Sequence, residues 1–285
     1  MIKFENISHK FKDKKALENI NGTIDSGEVV AVIGENGSGK STLLNVVATF
    51  IKPSSGKLIY NDMNVFERKE NIEKFRELIS FVSEKSTFIP ELTLRDNLLY
   101  FKSVFNSQRC IYDIAMHVKI DKLLDKNPNK LSKGQKQRFA LAISLLKDAK
   151  IILLDEPAEG LDIETKQIVK DLVKEFKEKG CTVFYVTHDE DEVEEVCDKI
   201  IALKGGKIKF FGTVDEFWKT YEKFYSVTFE PPENPGKKLT RIMNINELKI
   251  AQEKVRVLHI RNLGLREIIN ITENVYVEHE ATQQR

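Results

Sequence analysis

The sequence predicts an α/β protein with a mostly parallel sheet, and three observations carry that prediction. Residues 28–33, 151–154 and 181–186 are short apolar runs with the composition of strands buried on both faces. Between the last two, residues 163–179 place Ile168, Val169, Leu172, Val173 and Phe176 on one helical stripe, with Gly180 as the stop. The first run leads at once into a glycine-rich loop and another helical pattern. Strands alternating with helices imply parallel β-α-β units.

The remaining elements follow in order. Residues before 28 read as strand, turn, strand, with Phe4 and Ile7 apolar and Asp13, Lys14 and Lys15 in the turn, which predicts an N-terminal antiparallel β-subdomain. The helix after the glycine-rich loop spans Ser41 to Ile51 and ends before Pro53 and Gly56. Leu92 to Phe105 and Ile111 to Leu124 are helical patterns with no strand between them, so a helical insertion over about 85–148 interrupts the alternation. Pro231, Pro232, Pro235 and Gly236 mark a linker or turn. Beyond them Val255 to Ile260 alternates as a strand, Leu265 to Ile271 reads as a helix and Val275 to Val277 as another strand. The expected division is a large domain over 1–220 and a small C-terminal α/β extension over 221–285.

Composition narrows the function classes. With 45 Lys+Arg against 44 Asp+Glu, the net charge of +1 provides no global attraction for a polyanion, and no nucleic-acid partner is expected. Cys110, Cys181 and Cys197 have neither metal-ligand spacing nor a disulfide framework, and no secretory segment follows Met1. They read as reduced thiols of a cytosolic protein. The acidic run Asp189 to Glu195 reads as a solvated helix face, and Trp218 with Phe210, Phe211 and Phe217 as an apolar packing stripe.

The chemistry concentrates in one loop. Gly34-Glu35-Asn36-Gly37-Ser38-Gly39-Lys40-Ser41, followed by Thr42, fills every position of the P-loop pattern, with a buried strand before it and a helix after it. Its glycines let backbone N–H groups turn inward, and the following helix start adds its positive end, so the loop is an anion site. Lys40 is expected to reach the β- and γ-phosphates and the Ser41 hydroxyl to hold Mg²⁺. A nucleoside triphosphate is the expected ligand.

Three further segments fit that ligand. Ile151 to Leu154 runs into Asp155 and Glu156, whose side chains alternate and so take different tasks. One can hold the Mg²⁺ shell and the other can orient and deprotonate a water. His188 follows the strand Thr182 to Thr187, at the strand end where open α/β sheets bind ligands. Leu131-Ser132-Lys133-Gly134-Gln135 precedes a helix running from Lys136 through Leu146, with Ser132 a good N-cap and Gly134 permitting close backbone approach.

Over residues 1–220 the motif order resembles the ATP-binding subunit of ABC (ATP-binding cassette) transporters. In that resemblance Ser132, Gly134 and Gln135 belong to the signature segment, and Asp155 and Glu156 are the Walker B aspartate and the catalytic glutamate. Ala158 to Asp162 resembles the D-loop, His188 the switch histidine, and Phe11 the aromatic that stacks on adenine. The resemblance implies an ATP-hydrolysing P-loop cassette with ATP and Mg²⁺ as cofactors. It implies a homodimer or heterodimer with a second cassette, each ATP clamped between one P-loop and the other's signature, and separate transmembrane permease subunits that hold the cassette at the cytoplasmic face of the membrane.

Two positions depart from the family pattern. Glu84 stands where a glutamine normally contacts Mg²⁺ and the membrane subunit, which keeps an oxygen ligand but adds negative charge. Lys133 replaces the commoner glycine and either faces phosphate or points to solvent. Leu92 to Leu98 with Tyr100 and Phe101, together with the C-terminal extension, resembles the cassettes of small two-component bacterial exporters. The alternative is a soluble or regulatory ABC ATPase uncoupled from transport.

Overall fold

The computed structural model describes residues 1–83, 88–221, 223–234, 236–265, 267 and 268. Glu84 and the expected strand Val275 to Val277 lie outside the described residues. The chain begins with β1 (Ile2–Phe11), β2 (Lys14–Ile24), β3 (Val29–Gly34), α1 (Lys40–Val47), β4 (Ser55–Tyr60), β5 (Met63–Asn64), α2 (Lys69–Glu77) and β6 (Ile79–Val82). There follow α3 (Leu94–Val104), α4 (Ile111–His117), α5 (Lys133–Leu146), β7 (Ile151–Asp155), α6 (Ile163–Glu178), β8 (Thr182–Val186) and α7 (Glu190–Val196). The last elements are β9 (Lys199–Lys204), β10 (Lys207–Thr213), α8 (Val214–Thr220), β11 (Phe224–Glu230), β12 (Leu239–Asn244), α9 (Ile245–Lys254) and β13 (Arg256–Asn262).

Chain contacts define two units, Met1–Thr187 with Asp191–Phe211, and His188–Glu190 with Gly212–Arg285. The break near 211 precedes α8, whereas the sequence reading places the boundary after residue 220.

The first unit holds a four-stranded antiparallel sheet in the order β2-β1-β4-β5 and a six-stranded sheet in the order β10-β9-β3-β8-β7-β6. Its β3, β6, β7, β8 and β9 pair in parallel. The apolar runs serve both faces because side chains alternate. Val30, Val32, Leu153 and Phe184 meet Phe4, Leu17, Leu43 and Leu44 on one face; Val29, Ile152, Leu154 and Tyr185 meet Leu98, Phe139, Leu172 and Phe176 on the other. The register places the site: Val186 of β8 stands opposite both Val32 of β3 and Asp155 of β7. The loop after β3 and the carboxylates ending β7 therefore leave the sheet at one edge.

Two local expectations are corrected. Helix α1 stops at Val47 rather than at Ile51, because Thr49 takes a left-handed conformation (φ 61°). Arg76 holds it there, donating from Nε to the Thr49 hydroxyl (2.6 Å) and from its terminal nitrogen to the Thr49 carbonyl (2.9 Å). The acidic run is also not wholly solvated. Glu192 is buried, and its carboxylate accepts from the Tyr185 hydroxyl (3.0 Å) and the Thr187 hydroxyl.

In the second unit, β12-β11-β13 form an antiparallel sheet around Val227, Phe229 and Leu248. The proline cluster connects β11 to β12, two strands absent from the sequence reading, as is α9. The expected aromatic stripe divides: Phe211 lies against Gly22 in the first unit, while Phe217 packs on Trp218 and Tyr221 in the second. Among the described residues, Cys110 is exposed and Cys181 and Cys197 are largely buried, all as free thiols, and no helix is long and apolar enough to cross a membrane.

Candidate active site

The loop from β3 to α1 has a backbone that side chains would obstruct. At Gly34 (φ 146°) a Cβ would stand 2.2 Å from the Leu203 carbonyl, and at Gly39 (φ 111°) 2.6 Å from the Ala16 carbonyl. Gly39 is also the N-cap of α1 and provides no side-chain acceptor, so the first N–H groups of α1 have no side-chain cap. Lys40 is buried, its Nζ donating to the carbonyls of Gly34 (2.9 Å) and Glu35 (3.1 Å). Ser38 is buried with its hydroxyl lacking a hydrogen-bond partner. A buried cation and an orphaned hydroxyl beside an uncapped helix start fit a phosphate chain.

One cavity of about 420 Å³ brings most of the expected residues together: Phe11, Asn36, Gly37, Gly39, Lys40, Ser41, Thr42, Asp155 and Glu156 line it. Lys14, which the sequence assigns to a turn without a role, lines it too, as does Ala16. Its signal was adjacency to Phe11 in the hairpin, since Phe11 pairs with Lys14 across β1 and β2. Phe11 is half exposed at the cavity rim, its ring edge-on to His9. The Ser41 hydroxyl and the Asp155 carboxylate are hard oxygen donors of the kind Mg²⁺ prefers, so the donor set fits the expected metal.

Glu156 sits one residue beyond β7 with a left-handed backbone (φ 52°), its N–H donating to the Val186 carbonyl (3.1 Å). A non-glycine residue in that region is strained and persists where its surroundings hold it, which is common at functional positions. The twist turns Glu156 out of the strand's alternation and onto the cavity.

The signature residues do not line that cavity. Ser132 caps α5 through a capping box: its hydroxyl accepts from the Gln135 N–H (3.3 Å) and its N–H donates to the Gln135 side-chain oxygen (3.1 Å). A Cβ on Gly134 would meet an Asp162 carboxylate oxygen at 2.9 Å, so Gly134 lets α5 pass close to the start of α6. Asp162 caps α6, and the Thr165 N–H and hydroxyl it accepts hold its carboxyl below the ordinary aspartate range. Lys133 is exposed, in keeping with the solvent reading, and its Nζ also donates to the Glu159 carbonyl at 2.8 Å. His188 follows β8 and Thr187 directly and groups with the second unit.

Fold and loop together define a P-loop ATPase cassette. The ABC transporter family model matches residues 17–159, and the chain belongs to the ABC transporter family. It is 37% identical over 224 residues to the arginine transport ATP-binding protein ArtM of Bacillus subtilis, covering 76% of this chain and 93% of that protein. It is 34% identical over 222 residues to a probable sulfate/thiosulfate import ATP-binding protein, CysA, of Chlorella vulgaris, covering 75% and 92%. Among solved structures, the dimeric, post-hydrolysis ATP-binding cassette MJ0796 with ADP and Pi superposes at a TM-score of 0.67 and 30% identity, over 75% of this chain and 99% of that one. The protein is an ABC transporter ATP-binding subunit, an ATPase that uses ATP and Mg²⁺.

Proposed function

We propose that hydrolysis proceeds in the cavity between the P-loop and the end of β7, and the observation that carries this is the shared lining of Lys40, Ser41, Asp155 and Glu156. Backbone N–H groups from Asn36 to Thr42 and the Ser38 hydroxyl cradle the phosphates; Lys40 leaves its loop carbonyls for the β- and γ-phosphates. Ser41 and Asp155 would hold Mg²⁺, with Glu84 as the further ligand expected from sequence, and the ion would supply positive charge against the phosphates. Glu156 orients the attacking water and takes its proton, and Phe11 stacks on the adenine. The switch role of His188 rests on the family resemblance alone.

Ser132, Gly134 and Gln135 lie off this cavity, which supports their presentation to the ATP of a second cassette. One chain contains both half-sites, so two copies suffice. The 30%-identical cassette solved as a dimer with ADP and Pi supports pairing of two cassettes. The partners we infer are separate transmembrane permease subunits, which hold this chain at the cytoplasmic face of the membrane. A mostly apolar cleft of about 440 Å³, lined by Phe50, Phe81, Phe88, Phe101 and Phe105 beside the helical insertion, supports a docking face there.

Export is the direction read from Leu92 to Leu98 and the C-terminal extension. Uptake is the second reading, favoured by the relative named for sulfate/thiosulfate import. Cargo movement in vesicles of known orientation separates the two.

The test of the site is Glu156→Gln. The variant is expected to bind ATP and to lose roughly 100-fold or more in steady-state hydrolysis. Hydrolysis at the wild-type rate would overturn the assignment.

A further inference from the structure

We propose that Lys133 is a positioning residue for hydrolysis, tying the start of α5 to the turn that carries Glu156; the inference rests on reading Glu156 as the group that activates water. The turn 156–161 is tied to the rest of the cassette by bonds from outside it. Its first residue is left-handed at φ 52°, and Gly160 is left-handed at φ 66°. Its internal bonds are long, 3.3 Å from the Glu159 N–H to the Glu156 carbonyl and 3.4 Å from the Leu161 N–H to the Ala158 carbonyl. Both ends are anchored, by the Glu156 N–H on Val186 and by Asp162 capping α6.

The middle is held by Lys133. Its Nζ donates to the Glu159 carbonyl at 2.8 Å and stands 3.3 Å from where a Cβ on Gly160 would lie. That is a charge-assisted bond to the crest of the turn. Lys133 and Glu156 also line one cavity of about 360 Å³, with Lys136, Pro157 and Glu159 on its walls. The glycine commoner at this signature position has no side-chain donor, so the tether belongs to this chain's departure from the pattern. Lys133 is the first residue of α5, beside Ser132, so the tether runs from the signature start to the turn bearing Glu156.

Lys133→Met keeps length and removes the donor; Lys133→Arg restores one. With the full chain, Lys133→Met is expected to lower kcat about two- to fivefold, the scale of one exposed hydrogen bond, with KM for ATP unchanged. Without nucleotide, hydrogen exchange at the Glu159 and Leu161 amides should quicken while Tm holds. Lys133→Arg should return both toward wild type. Unchanged exchange together with unchanged kcat would overturn the proposal, as would loss of both in Lys133→Arg. If Lys133→Met folds poorly, Lys133→Gly carries the same comparison. If wild-type hydrolysis survives Glu156→Gln, the reading of the site fails instead, and the exchange experiment still decides the tether.

Discussion

The two glycine-bearing helix starts of the cassette look alike in sequence and differ in how their donors are used. At α1 the cap is Gly39, with no side-chain acceptor, a buried Lys40 and a buried unpartnered Ser38 hydroxyl close by. At α5 the cap is Ser132, already in a reciprocal box with Gln135. The first is left open for an anion; the second is satisfied within its own chain. Yet the Ser132 hydroxyl accepts in that box and keeps its own proton to donate. The difference supports the division of labour we propose, in which α1 encloses phosphate and α5 offers a pre-capped surface to the phosphate of a second cassette.

The largest effect tests the open end. Lys40→Ala removes the buried cation, and hydrolysis should fall by roughly 100- to 1000-fold, the scale of losing one preorganised donor to developing charge. A steady-state phosphate-release assay checks it, and a modest loss would break the contrast. Next comes the packing of the satisfied end. Gly134→Ala pushes a methyl to 2.9 Å from Asp162 and should cost about 1–3 kcal/mol, read by denaturant unfolding. An unaffected midpoint would mean that α5 can shift away from α6 freely. The smallest effect concerns the cap. Ser132→Ala should cost about 1 kcal/mol of stability and also lower hydrolysis through the lost hydroxyl. If stability falls and hydrolysis does not, Ser132 is a cap alone.

The same contrast explains what the sequence revealed. The P-loop and the strand ending in Asp155 were legible because their chemistry is local: a contiguous motif between a buried strand and a helix. The approach of α5 to α6 was not, since it depends on residues 26 or more apart in the chain, as in Lys133 and Glu159. Glu192 misled for a related reason: an acidic run reads as solvated until Tyr185 and Thr187 supply buried donors. The left-handed backbone of Glu156 has no sequence signal, because no glycine marks it. In the C-terminal unit the alternation of Tyr225, Val227 and Phe229 was a readable strand pattern beside the more conspicuous prolines.

If the open start and the capped start serve different subunits, two defective chains must repair each other. The direct measurement mixes Lys40→Ala, lacking a working P-loop, with Ser132→Arg, lacking a working signature, each inactive alone. A head-to-tail pair then contains one composite site with an intact P-loop and an intact signature, and ATP hydrolysis is predicted to return in the mixture. Hydrolysis that stays at the level of the separate variants would contradict the account.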